Sequence, residues 1–258
     1  MRLFDSHSHI NDPAFDADRA QVIERMRQAG LVGALVVGCD YGEETKLFEI
    51  LDDNPDFLIG AWALHPEYED RRESTVEEIV AIASDPRIKA VGETGLDYHW
   101  CKGDLTWQKD RFARHIEAAK IVGKPIVVHA REAESDALAI LAAHEAGDVG
   151  FVMHCFGGTL EDARRTIDLG GLVSFTGVLT FKSAGNLREI ARALPLTHLM
   201  AETDCPYMAP VPHRGKRCEP AFVGEVVKTL ASLHGLAIEE AAEITTTTAE
   251  HFFGLKQP

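Results

Sequence analysis

The stretch IKAVGETGLDY, residues 88–98, sets the reading of the whole chain. Its first half is a short apolar run of the kind that forms a strand buried on both faces. Its second half turns polar, and Glu93 follows Ala90, Val91 and Gly92 directly. An unpaired carboxylate in such a run is costly. Glu93 therefore needs a cation, either an Arg or Lys in a buried salt bridge or a metal ion.

The same pattern, an apolar run with a polar end, recurs on both sides of this stretch. Together the runs are Leu3–Ile10, Ala34–Asp40, Leu58–His65, Ile88–Leu96, Ile126–Ala130, Val149–Phe156, Leu172–Thr176 and Leu199–Asp204. Their spacing of about 30 residues is that of one βα unit. Amphipathic segments lie between them. Phe112, Ile116 and Ala119 keep helical spacing until Gly123 and Pro125 end the pattern, and Thr75 with Glu78 reads as a capping box. Eight units in about 250 residues predict an α/β chain folded as a (β/α)8 TIM barrel, regular or distorted, forming a single domain over 1–258. A doubly wound open sheet is the alternative, disfavoured because no glycine-rich phosphate loop follows any run. The Thr245–Thr248 run predicts a helix end or turn, since β-branched residues are mediocre helix formers.

In a barrel the C-terminal strand ends share one rim, so residues remote in sequence converge there. The candidates are His7, His9, His65, Glu93, His129, Arg131, His154 and Asp204. His7 and His9 are two apart, which puts both imidazoles on one strand face. Alone, such a pair is more often structural. With further His and carboxylates at matching ends it predicts a metal site, in which Glu93 bridges two ions between His7 and His9 on one side and His129 and His154 on the other. Asp204 can bind metal and take a proton from attacking water, or it can simply cap the following loop.

Composition limits the alternatives. The chain carries 26 basic and 41 acidic side chains, a formal charge of −15. That argues against electrostatic coating of nucleic acid, though not against an enzyme that meets phosphate through metal ions. Five cysteines without a C-x-x-C pair suit a reducing compartment. No apolar run is long enough for a signal peptide or a membrane span, so the expectation is a cytoplasmic protein without membrane association. No obligate protein partner is evident.

The motifs DSHSHI (5–10), GETGLDY (92–98), Gln108 with Phe112, VHAR (128–131), HCFGG (154–158), GVLTFK (177–182), ETDCPY (202–207) and RGKRCEP (214–220) fall in order along nearly the whole chain. In them the sequence resembles the TatD family of metal-dependent hydrolases, within the amidohydrolase-like barrel superfamily. The resemblance implies a two-metal phosphodiesterase acting on DNA, typically a 3′→5′ exonuclease on single-stranded DNA or 3′ ends. By it, His7, His9, Glu93 and Asp204 hold one ion, while Glu93, His129 and His154 hold the second, with His65 near substrate phosphate. It suggests Mg or Mn for activity, whereas the His-rich donor set also suits Zn, Fe or Ni. Asp204 and Glu93 are the expected catalytic residues, and His65, Arg131 and Arg214 the expected substrate contacts, with Lys216 and Arg217 as further basic candidates. The sequence departs from the family pattern at Cys218, where Asn is usual, and at Glu67, where a second His is usual; both positions are expected at the substrate rim.

Tyr98, Trp100, Trp107 and Phe181 could stack on bases, though ordinary packing explains them as well. His99, His115, His144, His198, His234 and His251 read as surface residues. Two other function classes remain: a hydrolase of another bond on the same metals (an aminoacyl-tRNA ester, or a small amide or phosphoester), and a non-catalytic binding barrel. The second is disfavoured because no expected ligand is missing.

Overall fold

Eight strands follow one another around a single parallel sheet in chain order, in a computed structural model that describes residues 1–255. They are β1 (Leu3–Ser8), β2 (Leu31–Gly38), β3 (Leu58–Trp62), β4 (Ile88–Asp97), β5 (Ile126–Arg131), β6 (Phe151–Met153), β7 (Gly171–Phe175) and β8 (Leu199–Ala201). The helices are α1 (Arg19–Gln28), α2 (Glu44–Asp53), α3 (Val76–Ala83), α4 (Thr106–Val122), α5 (Glu134–Ala143), α6 (Leu160–Asp168), α7 (Gly185–Ala193), α8 (Val223–His234) and α9 (Ile238–Phe252). This is a (β/α)8 barrel, without the order reversal of a doubly wound sheet. Positions 256–258 of the expected domain lie outside the described residues. Among those described, no single helix is long and apolar enough to cross a membrane.

Local signals work as the sequence implies. Thr75 Oγ1 accepts the Glu78 N–H, and the Glu78 carboxylate accepts the Thr75 N–H, opening α3. Gly123 ends α4 at φ 65°, a left-handed conformation glycine adopts without penalty. Several strands are shorter than their apolar runs: β1 stops at Ser8, β3 at Trp62, β8 at Ala201. The polar ends of those runs leave the ladder and form the rim.

Alternation along the strands separates two cores. Leu3, Ala34, Val36, Val91, Ile126, Val128 and Met153 pack outward with helix residues such as Met26, Leu47, Phe112 and Leu138. Phe4, Leu35, Val37, Ala61, Ala90, Val127, Val152 and Met200 pack together inside the barrel. Period 2 carries the inner face from Val127 to His129 and from Val152 to His154. It would turn His7 and Glu93 away, counting from Phe4 and Ala90. The pairing register shifts between Asp5 and Ser8 on β1 and between Val91 and Thr94 on β4. Such irregularities re-aim side chains, and these two bring His7, His9 and Glu93 inward.

The seam between β8 and β1 is closed by segments that carry site residues. Asp204 N–H donates to His7 O and His9 N–H to Cys205 O, each at 3.0 Å. Ser6 Oγ donates to Ala201 O at 3.1 Å. Buried Asp5 braces the seam by accepting the N–H and hydroxyl of Thr203 at 2.8 and 2.5 Å.

Two expectations are corrected. Thr245–Thr248 lie inside α9, held there by packing that buries Thr245 and Thr246; the hydroxyls of Thr245 and Thr248 donate to the carbonyls four residues back, both at 2.9 Å, and Thr246 reaches Arg2 O. His115 is buried rather than on the surface. Its Nδ1 faces Arg111 O at 2.8 Å and its Nε2 accepts the Leu64 N–H at 3.2 Å, pinning α4 to the end of β3.

Candidate metal centre and active site

Glu93 stands at the middle of the barrel mouth, and its two oxygens face different partners. Oε1 lies 2.7 Å from His129 Nδ1, 2.7 Å from His154 Nε2 and 3.2 Å from His65 Nε2. Oε2 lies 3.3 Å from His7 Nε2, 3.6 Å from His9 Nε2 and 3.9 Å from Cys39 Sγ. Asp204 Oδ1 completes the second group, 3.7 Å from His7 Nε2 and 3.4 Å from His9 Nε2. All six expected metal ligands therefore converge, and His65 joins them.

The donor set on the His7–His9 side fits a divalent ion. The Nε2 atoms of His7 and His9 are 3.1 Å apart with two carboxylates beside them. Electron-rich atoms packed this way repel unless protons or a cation lie between them. Two bonds of about 2.1 Å meeting at about 95–125° span 3.1–3.7 Å, the range of the separations between these nitrogens and the carboxylates. Three of the four far nitrogens are also occupied: His9 Nδ1 by Val37 O at 3.2 Å, His129 Nε2 by Asp97 at 2.9 Å, His154 Nδ1 by Glu202 at 3.3 Å, while His7 Nδ1 has no partner among the described residues. Acceptors behind a ligating imidazole fix its tautomer and strengthen it as a donor. Sequence reasoning assigned no role to Asp97 and Glu202, although each lies within a family motif. It also missed Cys39, which no motif contains.

Charge in the cluster is balanced by the imidazoles. Burial alone would push the Glu93 carboxyl up, but facing His154, His65, His7 and His129 hold it well below the usual range. Asp204 is likewise lowered, against burial, by His9, His7 and His154. Burial disfavours charge on His129, yet bonds to Asp97 and Glu93 raise it to about 9. Glu93 and Glu202 raise His154 well above the ordinary imidazole value, again against burial. Without an ion, protons carry the positive charge that the carboxylates demand.

His65 plays a different role. Its Nδ1 accepts the Glu67 N–H at 3.2 Å, so Nε2 carries the proton and points a donor at the mouth. Arg111, fully buried on α4, fixes this loop: it donates to His65 O at 2.7 Å and Tyr68 O at 2.9 Å and pairs with Glu73 at 2.5 Å. Gln108, one turn earlier, accepts the Asp97 N–H at 3.0 Å and donates to Pro66 O at 2.8 Å.

The other expected contacts divide. Arg131 and Arg214 are exposed, lying over the rings of Trp100 and Phe181 at 5.4 and 3.6 Å. Lys216 is exposed. Arg217 is held by Asp18 and Glu219 at 2.7 and 3.0 Å and is removed from the phosphate candidates. Cys218 is buried, its thiol against Thr203 O. It supports the β8 loop from below instead of touching the rim. Glu67 is exposed, its carboxylate within 4.8 Å of ligand atoms of Asp97 and His129. Trp100 is exposed, Tyr98 donates its hydroxyl to Asp136, and Trp107 packs beneath Arg111.

Comparison with known proteins matches this geometry to a family. The family described as TatD related DNase matches residues 4–254. A Bacillus subtilis protein named uncharacterized metal-dependent hydrolase YabD is 38% identical over 97% of this chain and 98% of its own. A Rahnella protein named 3′-5′ ssDNA/RNA exonuclease TatD is 32% identical over 98% of each chain. Among solved structures, the TatD homologue YJJV of Escherichia coli K12 superposes with a TM-score of 0.89 at 26% identity, covering 98% of both chains.

Proposed function

Because the chain belongs to the TatD related DNase family and is a metal-dependent hydrolase of that family, we propose that it is a two-metal phosphodiesterase that removes nucleotides from the 3′ ends of single-stranded DNA. The observation that carries this reading is Glu93, one buried carboxylate whose oxygens face two separate sets of donors. His7, His9, Asp204 and Glu93 would hold one ion, and Glu93, His129 and His154 the other. Two divalent ions would supply Lewis-acid charge at a phosphoryl oxygen and acidify a water.

The chain's own residues do the rest. Asp204, held ionised, accepts the proton of the attacking water. His65 offers its Nε2–H to a non-bridging phosphate oxygen. Asp97 and Glu202 keep His129 and His154 aimed. Arg131 and Arg214 lie exposed at strand ends and loops of the rim, where cations offset the repulsion between a chain of charge −15 and a polyanion. Five free cysteines suit a reducing cytoplasm, where we place the enzyme.

The test is end-labelled oligonucleotide digestion by metal-reconstituted protein. Nucleotide release from single-stranded 3′ ends, abolished by a chelator and restored by Mn, supports the reading. Intact oligonucleotides with Mg and with Mn across neutral pH overturn it. Turnover of an aminoacyl-tRNA ester or a small amide in the same panel would assign these ions to another bond.

A further inference from the structure

We propose that Cys39 is an additional ligand of the ion on the His7–His9 side of Glu93, a thiolate that tunes this centre toward softer metals. The inference rests on the two-metal reading above. Cys39 follows β2 directly, and period 2 from Leu35 and Val37 continues the barrel's inner face to it; the three share the interior core. Unlike His7 and Glu93, it needs no register shift to face the mouth. Its Sγ lies 3.9 Å from Glu93 Oε2, and ligand atoms of His9, Cys39 and Glu93 all fall within 4.8 Å of one another. A metal–sulfur bond of about 2.3 Å and a metal–oxygen bond of about 2.1 Å opening at about 125° span 3.9 Å.

The backbone is fixed in this position. Cys39 N–H donates to Glu43 Oε2 at 2.8 Å, and its carbonyl accepts the His65 N–H at 3.0 Å. A buried thiol is often only a small apolar filler. Here its sulfur touches a carboxylate that already faces two imidazoles, which is a ligand's environment. On binding, the S–H bond breaks, the proton leaves to water, and the sulfur donates its electron pair to the ion; no oxidation state changes. A thiolate favours Zn, Co or Fe over Mg or Mn.

The test is anaerobic cobalt(II) reconstitution of the wild type, Cys39→Ser and Cys39→Ala, read by absorption and by bound-metal analysis. The expected result is a near-ultraviolet sulfur-to-cobalt charge-transfer band in the wild type. Both variants should lose it while keeping bound cobalt and its visible ligand-field bands. Chelator competition should show zinc affinity falling about tenfold in Cys39→Ser, with manganese affinity changed no more than about twofold. Cobalt bound without a charge-transfer band, a band that survives both substitutions, or equal losses for zinc and manganese would overturn the Cys39 assignment and leave the two-metal reading standing. A wild type that takes up no cobalt would overturn both.

Discussion

Replacing Gly95 with alanine separates the geometry of the centre from its mere presence. Gly95 pairs with His129 across β4 and β5. Its φ is +146°, a region essentially reserved for glycine. A Cβ there would lie 2.0 Å from His129 O and 3.0 Å from the same carbonyl carbon. Since Cβ contacts below 3.0 Å essentially do not occur, β5 must retreat about 1 Å at the residue facing Glu93. Backbone strain of about 1–3 kcal/mol and overpacking of about 1–3 kcal/mol set the stability loss at about 2–6 kcal/mol. A 1 Å misplacement of a catalytic group costs about 100-fold in turnover. Urea unfolding, bound-metal analysis and steady-state hydrolysis measure the three effects. Gly123→Ala is the control, because φ is +65° there but nothing lies within 4 Å; it should cost about 1 kcal/mol with turnover unchanged. The reasoning fails if Gly95→Ala binds two ions and turns over within about threefold of wild type.

Other substitutions probe the remaining groups separately. Asp204→Asn should keep the fold and lower kcat by about 100-fold or more, read by steady-state kinetics beside circular dichroism. Arg111→Met leaves the carbonyls of His65 and Tyr68 without their donor and Glu73 paired with Arg114 alone; it should cost about 3 kcal/mol in urea and raise KM through a loosened His65. Burial lowers the His115 pKa to about 4, below its unfolded value of about 6.5. The unfolded chain therefore binds this proton first, so the stability contribution is complete above about pH 6.5 and falls between about 6.5 and 4, by about 3 kcal/mol at full extent. Denaturation curves across that range should flatten in His115→Asn, and an unchanged slope would remove His115 as the cause.

The barrel was legible because its code is repetitive: apolar runs at βα spacing, each ending in polar residues. The candidate ligands were legible for the same reason, since a strand end such as Val128-His129 places its side chain by position alone. What the sequence hid depends on contacts between distant residues. Period 2 from Phe4 or Ala90 turns His7 and Glu93 away, and only the register shifts reverse this. Asp97 acts through an imidazole on the next strand and Glu202 through one two strands away, and Cys39 belongs to no motif. Thr245–Thr248 misled because propensity ignores tertiary packing, which buries Thr245 and Thr246 and ties Thr246 to Arg2. Arg217 misled because its carboxylate partner Asp18 lies 199 residues away.

The hydrogen bonds that join His7 to Asp204 and His9 to Cys205 make the clasp of the ring and its catalytic machinery a single structure. During synthesis, the first strand leaves the ribosome with its histidines nearly two hundred residues ahead of the partner that locks them. A nascent chain therefore lacks Asp204, and with it the complete donor set around Glu93, until its eighth strand has been made. The same coupling means that any fraying at this clasp displaces His7, His9 and Asp204 together.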